Sequence, residues 1–135
     1  MYMESEEEKA QSKKKLAVWD CITLTGGRNE NQDFYGYCQI HNGSLLFVVC
    51  DGMGGMRGGS TASREAVRFI LEDAINSREK DPGQILTNAL KKANAAVFRL
   101  GKTHEELRGM GTTAVALLLS NEKATMAHTG DSRIY

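Results

Sequence analysis

The stretch FYGYCQIHNGSLLFVVC, residues 34–50, decides the fold of this protein. Residues 34–40 and 45–50 are apolar and aromatic runs of strand length, and the pair Asn42-Gly43 lies between them. An Asn-Gly pair favours a tight hairpin because both residues tolerate the positive φ that such a turn requires. The sequence therefore predicts two antiparallel strands joined by a short turn.

Two helices are predicted after this hairpin. Residues 52–59 carry five glycines and are predicted to form a loop, after which Ser60 or Thr61 would cap the first helix. Asp81 followed by Pro82 predicts the start of the second helix, with the aspartate as the cap. Each helix has an apolar face at helical spacing: Ala62, Ala66, Phe69, Ile70 and Ala74 in the first, and Ile85, Leu86, Ala89, Leu90, Ala93, Val97 and Leu100 in the second.

Three further strands are predicted around these elements, at residues 16–23, 112–120 and 123–129. Strands, two helices and then more strands describe an α+β domain with an antiparallel sheet. Residues 1–15 mix glutamate and lysine without an apolar period, so they are predicted to be a charged, disordered tail. Residues 16–135 have the length of a single domain.

Bulk charge excludes several classes of partner. Seventeen basic residues balance seventeen acidic ones, so net charge does not steer the protein to nucleic acid or to an anionic membrane. No apolar run approaches the roughly 18 residues that span a bilayer, and the N-terminus lacks the hydrophobic centre of a secretion signal. We therefore expect a cytoplasmic protein. Cys21, Cys38 and Cys50 leave an odd thiol in any disulfide scheme, and we expect all three to be reduced core residues.

Three aspartates stand beside predicted strands. Asp33 opens the strand at 34–40, Asp51 closes the run 45–50, and Asp131 follows the strand at 123–129. An isolated aspartate beside a strand is more often a solvated turn residue than a metal ligand. Together, carboxylates at the edge of one sheet would repel one another unless a hard cation held them, and Mg²⁺ or Mn²⁺ prefers such oxygen ligands.

Four short segments carry a family resemblance. GRNENQD (residues 27–33), VCDGMGG (49–55), GMGTTA (109–114) and TGDSR (129–133) resemble, in this order, the successive signatures of the type 2C metal-dependent serine/threonine protein phosphatases. The resemblance extends from about residue 18 to the last residue. It implies that residues 16–135 are the N-terminal portion of a catalytic domain built as an antiparallel β-sandwich flanked by helices, in α-β-β-α layers.

The resemblance also implies a role for each of five residues. Arg28 would hold the substrate phosphate, Asp33 and Asp51 would bind the metal centre, and Asp131 would serve a further, weaker metal position. Gly52 would contribute a backbone carbonyl ligand. With Mg²⁺ or Mn²⁺ bound, a metal-bridged hydroxide would hydrolyse phosphoserine or phosphothreonine in a phosphoprotein substrate.

The chain departs from the family pattern in two ways. Met53 follows the Asp-Gly pair where many eukaryotic members have a histidine, which resembles the bacterial branch. The family also has later metal ligands and strands that are absent from residues 1–135, so we expect weak metal binding, an incomplete sandwich and a possible homodimer through uncovered sheet edges. The alternative hypothesis is a truncated, non-catalytic remnant that acts as a binding or self-associating module.

Overall fold

The structure, a computed structural model, describes residues 16–121 and 123–135, except for the side chains of Met56 and Arg57. The predicted tail at residues 1–15 lies outside the described residues. In chain order the elements are β1 (Asp33–Gln39), β2 (Leu45–Met53), α1 (Gly55–Asn76), α2 (Pro82–Thr103), a short 3-10 helix (Glu105–Leu107), β3 (Gly111–Thr112), β4 (Ala114–Leu119) and β5 (Ala124–Thr129).

The strands of the described residues form one antiparallel sheet. Its order is β1-β2-β4-β5, and β3 pairs with the end of β2. The predicted α+β class with an antiparallel sheet is therefore confirmed. Both long helices cover one face of this sheet, and the described residues do not include a second sheet on the other face. Neither helix in the described part of the chain is long and apolar enough to cross a membrane.

The predicted hairpin is confirmed, although its turn differs in detail. Gly43 has a φ of 81°, whereas no residue other than glycine has a positive φ in the described chain. The Gly43 N–H donates to the Ile40 carbonyl over 2.9 Å, and the Ile40 N–H donates to the Ser44 carbonyl over 2.9 Å. These bonds define a three-residue loop in which only the glycine is left-handed, which is the next most common hairpin after the two-residue turn.

The core lies between the sheet and the helices. Strand β2 alternates strictly, with Leu46, Val48 and Cys50 buried against the helices and their neighbours facing the other way. Ile70 of α1 and Ile85 of α2 are fully buried in the same cluster. The apolar faces predicted for both helices are confirmed, with Val67 as an additional buried residue of α1.

The prediction of a strand at residues 16–23 is wrong. That segment has no regular structure and lies against the outer face of the sheet, which is the face away from the helices. There the Trp19 ring packs edge-on against Tyr37 and Phe47, with centroids 5.3 and 5.1 Å away. The Cys21 N–H donates a hydrogen bond to the Asp20 carboxylate over 2.8 Å, and such a local bond competes with strand pairing.

The prediction of a loop at residues 52–59 is also wrong. Strand β2 continues to Met53, Gly54 is the helix N-cap with a φ of 125°, and α1 begins at Gly55, so neither Ser60 nor Thr61 is the cap. The glycines serve close packing here. A Cβ on Gly58 would lie 3.1 Å from the Met110 side chain, and one on Gly59 would lie 2.5 Å from the Gln32 side chain.

The cysteines follow the prediction in part. All three are free, Cys50 is buried and Cys38 is half-buried, but Cys21 is exposed and is not a core residue. It lies in residues 16–23, which form no regular structure. Burial raises the pKa of the Cys50 thiol to about 12, although a hydrogen bond with Thr112 opposes the shift. Cys50 is therefore a neutral core side chain at physiological pH.

The predicted start of α2 is confirmed, and its cap can be tested. The Asp81 carboxylate accepts a hydrogen bond from the Gln84 N–H over 2.8 Å, and Pro82 occupies the first helical position. We expect Asp81→Ala to lower the free energy of unfolding by about 1 kcal/mol in a urea titration, because one N-terminal N–H loses its partner. Asp81→Asn keeps an acceptor and should change stability little; an equal loss in both variants would contradict this role.

Candidate active site

The strand register brings two of the predicted aspartates together. Asp33 and Asp51 are directly paired across β1 and β2. Paired residues of antiparallel strands point to the same face, with Cβ atoms roughly 4.5–5.5 Å apart. Both carboxylates therefore lie on the outer face, at the end of the hairpin away from its turn, and both are exposed.

Four of the predicted residues share one electrostatic environment. Asp51 is exposed, yet partial loss of hydration is the largest cause of its raised pKa, followed by the negative charge of Asp33 and a hydrogen bond between the two side chains. The positive charge of Arg28 lowers this pKa, and the negative charge of Asp131 raises it further. Arg28, Asp33 and Asp131 therefore all act on the charge of Asp51, although Asp131 is far from the other three in sequence.

Backbone bonds hold Asp51 in place. Its N–H donates to the Thr113 hydroxyl over 3.1 Å, and its carbonyl accepts from the Thr113 N–H over 2.8 Å. The Thr112 hydroxyl donates to the same carbonyl over 3.0 Å. The sequence marked these threonines only as part of the motif GMGTTA, and their contacts with Asp51 could not be read from it.

The loop that carries Asp131 packs on the same threonine. Gly130 has a φ of 89°, and a Cβ there would lie 2.7 Å from the Thr113 methyl carbon. The Ser132 hydroxyl is 2.6 Å from the Thr113 hydroxyl. Asp131 therefore lies between two residues that contact Thr113, which is itself bonded to Asp51.

Polar side chains fix the loop between Arg28 and Asp33. The Asn31 carboxamide oxygen accepts from the Asp33 N–H over 3.0 Å, and its nitrogen donates to the Thr23 hydroxyl over 2.7 Å. The Gln32 side chain donates to the Gly55 carbonyl over 2.9 Å, at the start of α1. The order of this loop therefore depends on both the preceding segment and the first helix.

Gly52 is positioned by close packing. It is buried, its N–H donates to the Gln32 carbonyl over 3.0 Å, and it pairs with Thr112 of β3. A Cβ on Gly52 would lie 1.9 Å from the Gly59 carbonyl oxygen. The structure thus gives a packing reason for glycine at this position, and its role as a carbonyl ligand stays a prediction.

The side chains at this site fit a hard divalent cation. Asp33 and Asp51 face each other, and the negative charge of one raises the pKa of the other, so a cation between them would relieve their repulsion. Within the described residues, however, no three Asp, Glu, His or Cys side chains are close enough to hold a metal by themselves. Water and backbone oxygen would have to complete the coordination of Mg²⁺ or Mn²⁺, which commonly retain waters.

The raised pKa of Asp51 predicts a pH-dependent stability of the metal-free protein. A raised folded-state pKa means that the ionised carboxylate opposes folding above that pKa, and that this penalty disappears as the pH falls below the ordinary pKa of aspartate. In buffer with a chelator at neutral pH, we expect Asp51→Asn to unfold at a higher temperature than wild type. The difference should shrink in acid; an unfolding temperature below that of wild type at neutral pH would contradict the prediction.

The fold and this site define a class: an antiparallel α+β domain with an acidic pair and an arginine at one end of the sheet. The chain belongs to the protein phosphatase 2C family, whose model matches residues 27–135. This finding confirms the resemblance that the four sequence segments indicated.

Individual relatives agree with this assignment. The chain is 36% identical over 110 residues to a protein phosphatase 2C-type protein of Streptococcus pyogenes, covering 79% of this chain and 44% of the relative. It is 32% identical over 117 residues to the serine/threonine phosphatase stp of Listeria monocytogenes, covering 80% of this chain and 44% of that protein. The chain thus spans less than half the length of these relatives.

Solved structures show the same fold. The serine/threonine phosphatase Stp1 of Staphylococcus aureus superposes with a TM-score of 0.75 at 31% identity, over 83% of this chain and 46% of that one. The Mycobacterium tuberculosis serine/threonine phosphatase PstP/Ppp gives a TM-score of 0.66 at 29% identity, over 78% of this chain and 43% of that one.

Proposed function

We propose that this chain provides the phosphate-binding arginine and part of the metal site of a phosphoprotein phosphatase that hydrolyses phosphoserine and phosphothreonine with Mg²⁺ or Mn²⁺. The observation that carries the proposal is the pairing of Asp33 with Asp51 across β1 and β2, with Arg28 and Asp131 within electrostatic reach. The relatives named as serine/threonine phosphatases support the choice of substrate class.

Each residue has a distinct role in this proposal. Asp33 and Asp51 would hold the divalent cation, Gly52 would add its carbonyl oxygen, and Asp131 would serve a further position. When bound, the cation supplies Lewis-acid activation of water and offsets the charge of the phosphate. Asp51 is central to this proposal, because it is paired with Asp33 and its backbone is bound to Thr113, on which Gly130 beside Asp131 packs.

Arg28 would bind the phosphate group. A guanidinium presents a planar fork of donors that matches two phosphate oxygens, and its charge is available at any physiological pH. Met53 follows the Asp51-Gly52 pair, and its exposed side chain cannot donate a proton. Water is therefore the proposed source of the proton for the leaving group.

Self-association is a second candidate function, favoured by the outer face of the sheet. Tyr37, Val49 and Met126 lie on this face and are 52%, 47% and 60% exposed. An apolar face and open strand edges favour pairing with a second copy. Sedimentation across a wide concentration range tests this homodimer, and a monomer at every concentration would exclude it.

The neutral net charge supports the further proposal that the protein has no nucleic-acid or membrane partner. A cytoplasmic location is likewise proposed, because residues 1–15 are charged and lack the hydrophobic centre of a secretion signal.

Hydrolysis of an aryl phosphate, with and without Mn²⁺, tests the proposed phosphatase activity. It should be measured on residues 1–135 and on the product of the complete gene, followed by phosphoserine and phosphotyrosine peptides. We expect Mn²⁺-dependent hydrolysis by the complete product and preference for phosphoserine. Activity near background is expected for residues 1–135, because the facing pair of aspartates leaves coordination positions to be filled.

Arg28→Ala should mainly weaken the handling of the phosphate. Because it removes a positioned charge and leaves the aspartates intact, we expect kcat/KM to fall by about 30- to 1000-fold, or about 2–4 kcal/mol, chiefly through KM. Arg28→Lys keeps the charge without the planar fork and should recover part of the loss. Arg99→Ala, on the exposed side of α2, is the control. Unchanged kcat/KM in Arg28→Ala would remove this residue from the site.

A further inference from the structure

Within the described residues, a side-chain hydrogen bond joins the loop after β5 to the sheet. Pairing between β4 and β5 ends at Ala114 and Thr129, and residues 130–135 form neither helix nor strand. In the described residues, the bond between the Ser132 and Thr113 hydroxyls is the side-chain hydrogen bond that joins this segment to the sheet. Asp131 immediately precedes Ser132, so this bond holds the backbone next to Asp131.

The other end of this hydrogen bond is rigid. Thr113 makes two bonds with the backbone of Asp51, through its hydroxyl and through its N–H. Its methyl group also packs on Gly130, where a side chain would not fit. The path Ser132–Thr113–Asp51 therefore links the residue after Asp131 to the backbone of Asp51 by a short chain of hydrogen bonds, although Thr113 and Ser132 are 19 positions apart in the sequence.

We propose that Ser132 is a positioning residue: its hydroxyl bond to Thr113 holds the Gly130-Asp131 turn beside Asp51 and so allows Asp131 to share in binding a divalent cation. This inference rests on the proposed metal-dependent function and specifies how one of its ligands is held. Without the bond, the loop would have to order itself at the moment the cation binds, at a cost in affinity. Groups that orient ligands in this way commonly change metal affinity by about 10- to 100-fold when they are removed.

Manganese calorimetry on the product of the complete gene provides the direct test. We expect Ser132→Ala to weaken the weakest Mn²⁺ site by about 10-fold or more, as Asp131→Ala should. Ser132→Thr keeps the hydroxyl at a half-buried position and should restore most of the affinity. Ser120→Ala is the matched control, since its hydroxyl also makes a hydrogen bond, to the Lys123 carbonyl, at the opposite end of the same strand pair.

Kinetics provide a second readout that a general loss of structure would not produce. In Ser132→Ala, the Mn²⁺ concentration for half-maximal rate should rise while KM for an aryl phosphate at saturating Mn²⁺ stays constant, because Arg28 is untouched. Thermal unfolding with a chelator present should show that the variant remains folded.

The outcomes separate this inference from the proposed function. If Asp131→Ala loses Mn²⁺ affinity and Ser132→Ala does not, the positioning role is overturned and the phosphatase proposal stands. If Ser132→Thr binds Mn²⁺ as weakly as Ser132→Ala, the hydroxyl bond is not the cause. If wild type neither binds Mn²⁺ nor hydrolyses phosphate with it, both proposals are overturned together.

Discussion

Asp51→Asn is expected to abolish Mn²⁺-dependent phosphate hydrolysis by the product of the complete gene. Asp51 is paired with Asp33, and the charges of Arg28 and Asp131 also act on its carboxylate, so the substitution removes the charge that all three residues share. An amide of the same shape removes that charge without creating a cavity. The loss should exceed about 100-fold, the upper range for residues that only support a metal ligand. Steady-state hydrolysis at several Mn²⁺ concentrations measures it.

Asp81→Asn is the matched control for this experiment. It makes the same chemical change at the start of α2, where asparagine still caps the helix. Its rate should equal that of wild type. Near-normal, Mn²⁺-dependent turnover in Asp51→Asn would overturn the roles proposed for the site. We expect this variant to remain folded, because its metal-free form should gain stability at neutral pH.

Gly52→Ala is expected to have the largest effect on stability. The added Cβ would lie 1.9 Å from the Gly59 carbonyl oxygen and 3.0 Å from the Gln32 carbonyl oxygen. Both obstacles are backbone atoms, so α1 would have to move away from β2 and the buried side chains between them would separate. We expect a loss of more than about 3 kcal/mol, the upper end for overpacking in a core, or failure to fold. Chemical unfolding and circular dichroism measure it.

Gly27→Ala is the control for the glycine substitution. Apart from Gly27 itself and its two chain neighbours, no heavy atom in the described residues lies within 4 Å of a Cβ added at this position, so the stability of Gly27→Ala should match that of wild type or exceed it slightly. Unfolding curves of Gly52→Ala that overlay those of wild type would show that α1 can shift at little cost.

The sequence by itself determined the class of fold and the membership of the family. The apolar runs on either side of Asn42-Gly43 specify the hairpin because strand alternation and turn chemistry are local properties. Helix α2 was also predictable, since Asp81 and Pro82 satisfy the first-turn groups without help from distant residues. Four ordered motifs identified the family.

Only the tertiary structure decided how the glycines and the first segment are used. Residues 52–59 resemble a loop in composition, yet they continue β2 and begin α1, because the helix passes so close to the sheet that no side chain fits between Gly52 and Gly59. Residues 16–23 have the composition of a strand, yet they form no regular structure. Their contact with the sheet is made by side chains, since Trp19 packs on Tyr37 and Phe47. The link from Ser132 through Thr113 to Asp51 was equally hidden, because a hydrogen bond between distant residues depends on strand register and loop path, which no local pattern encodes.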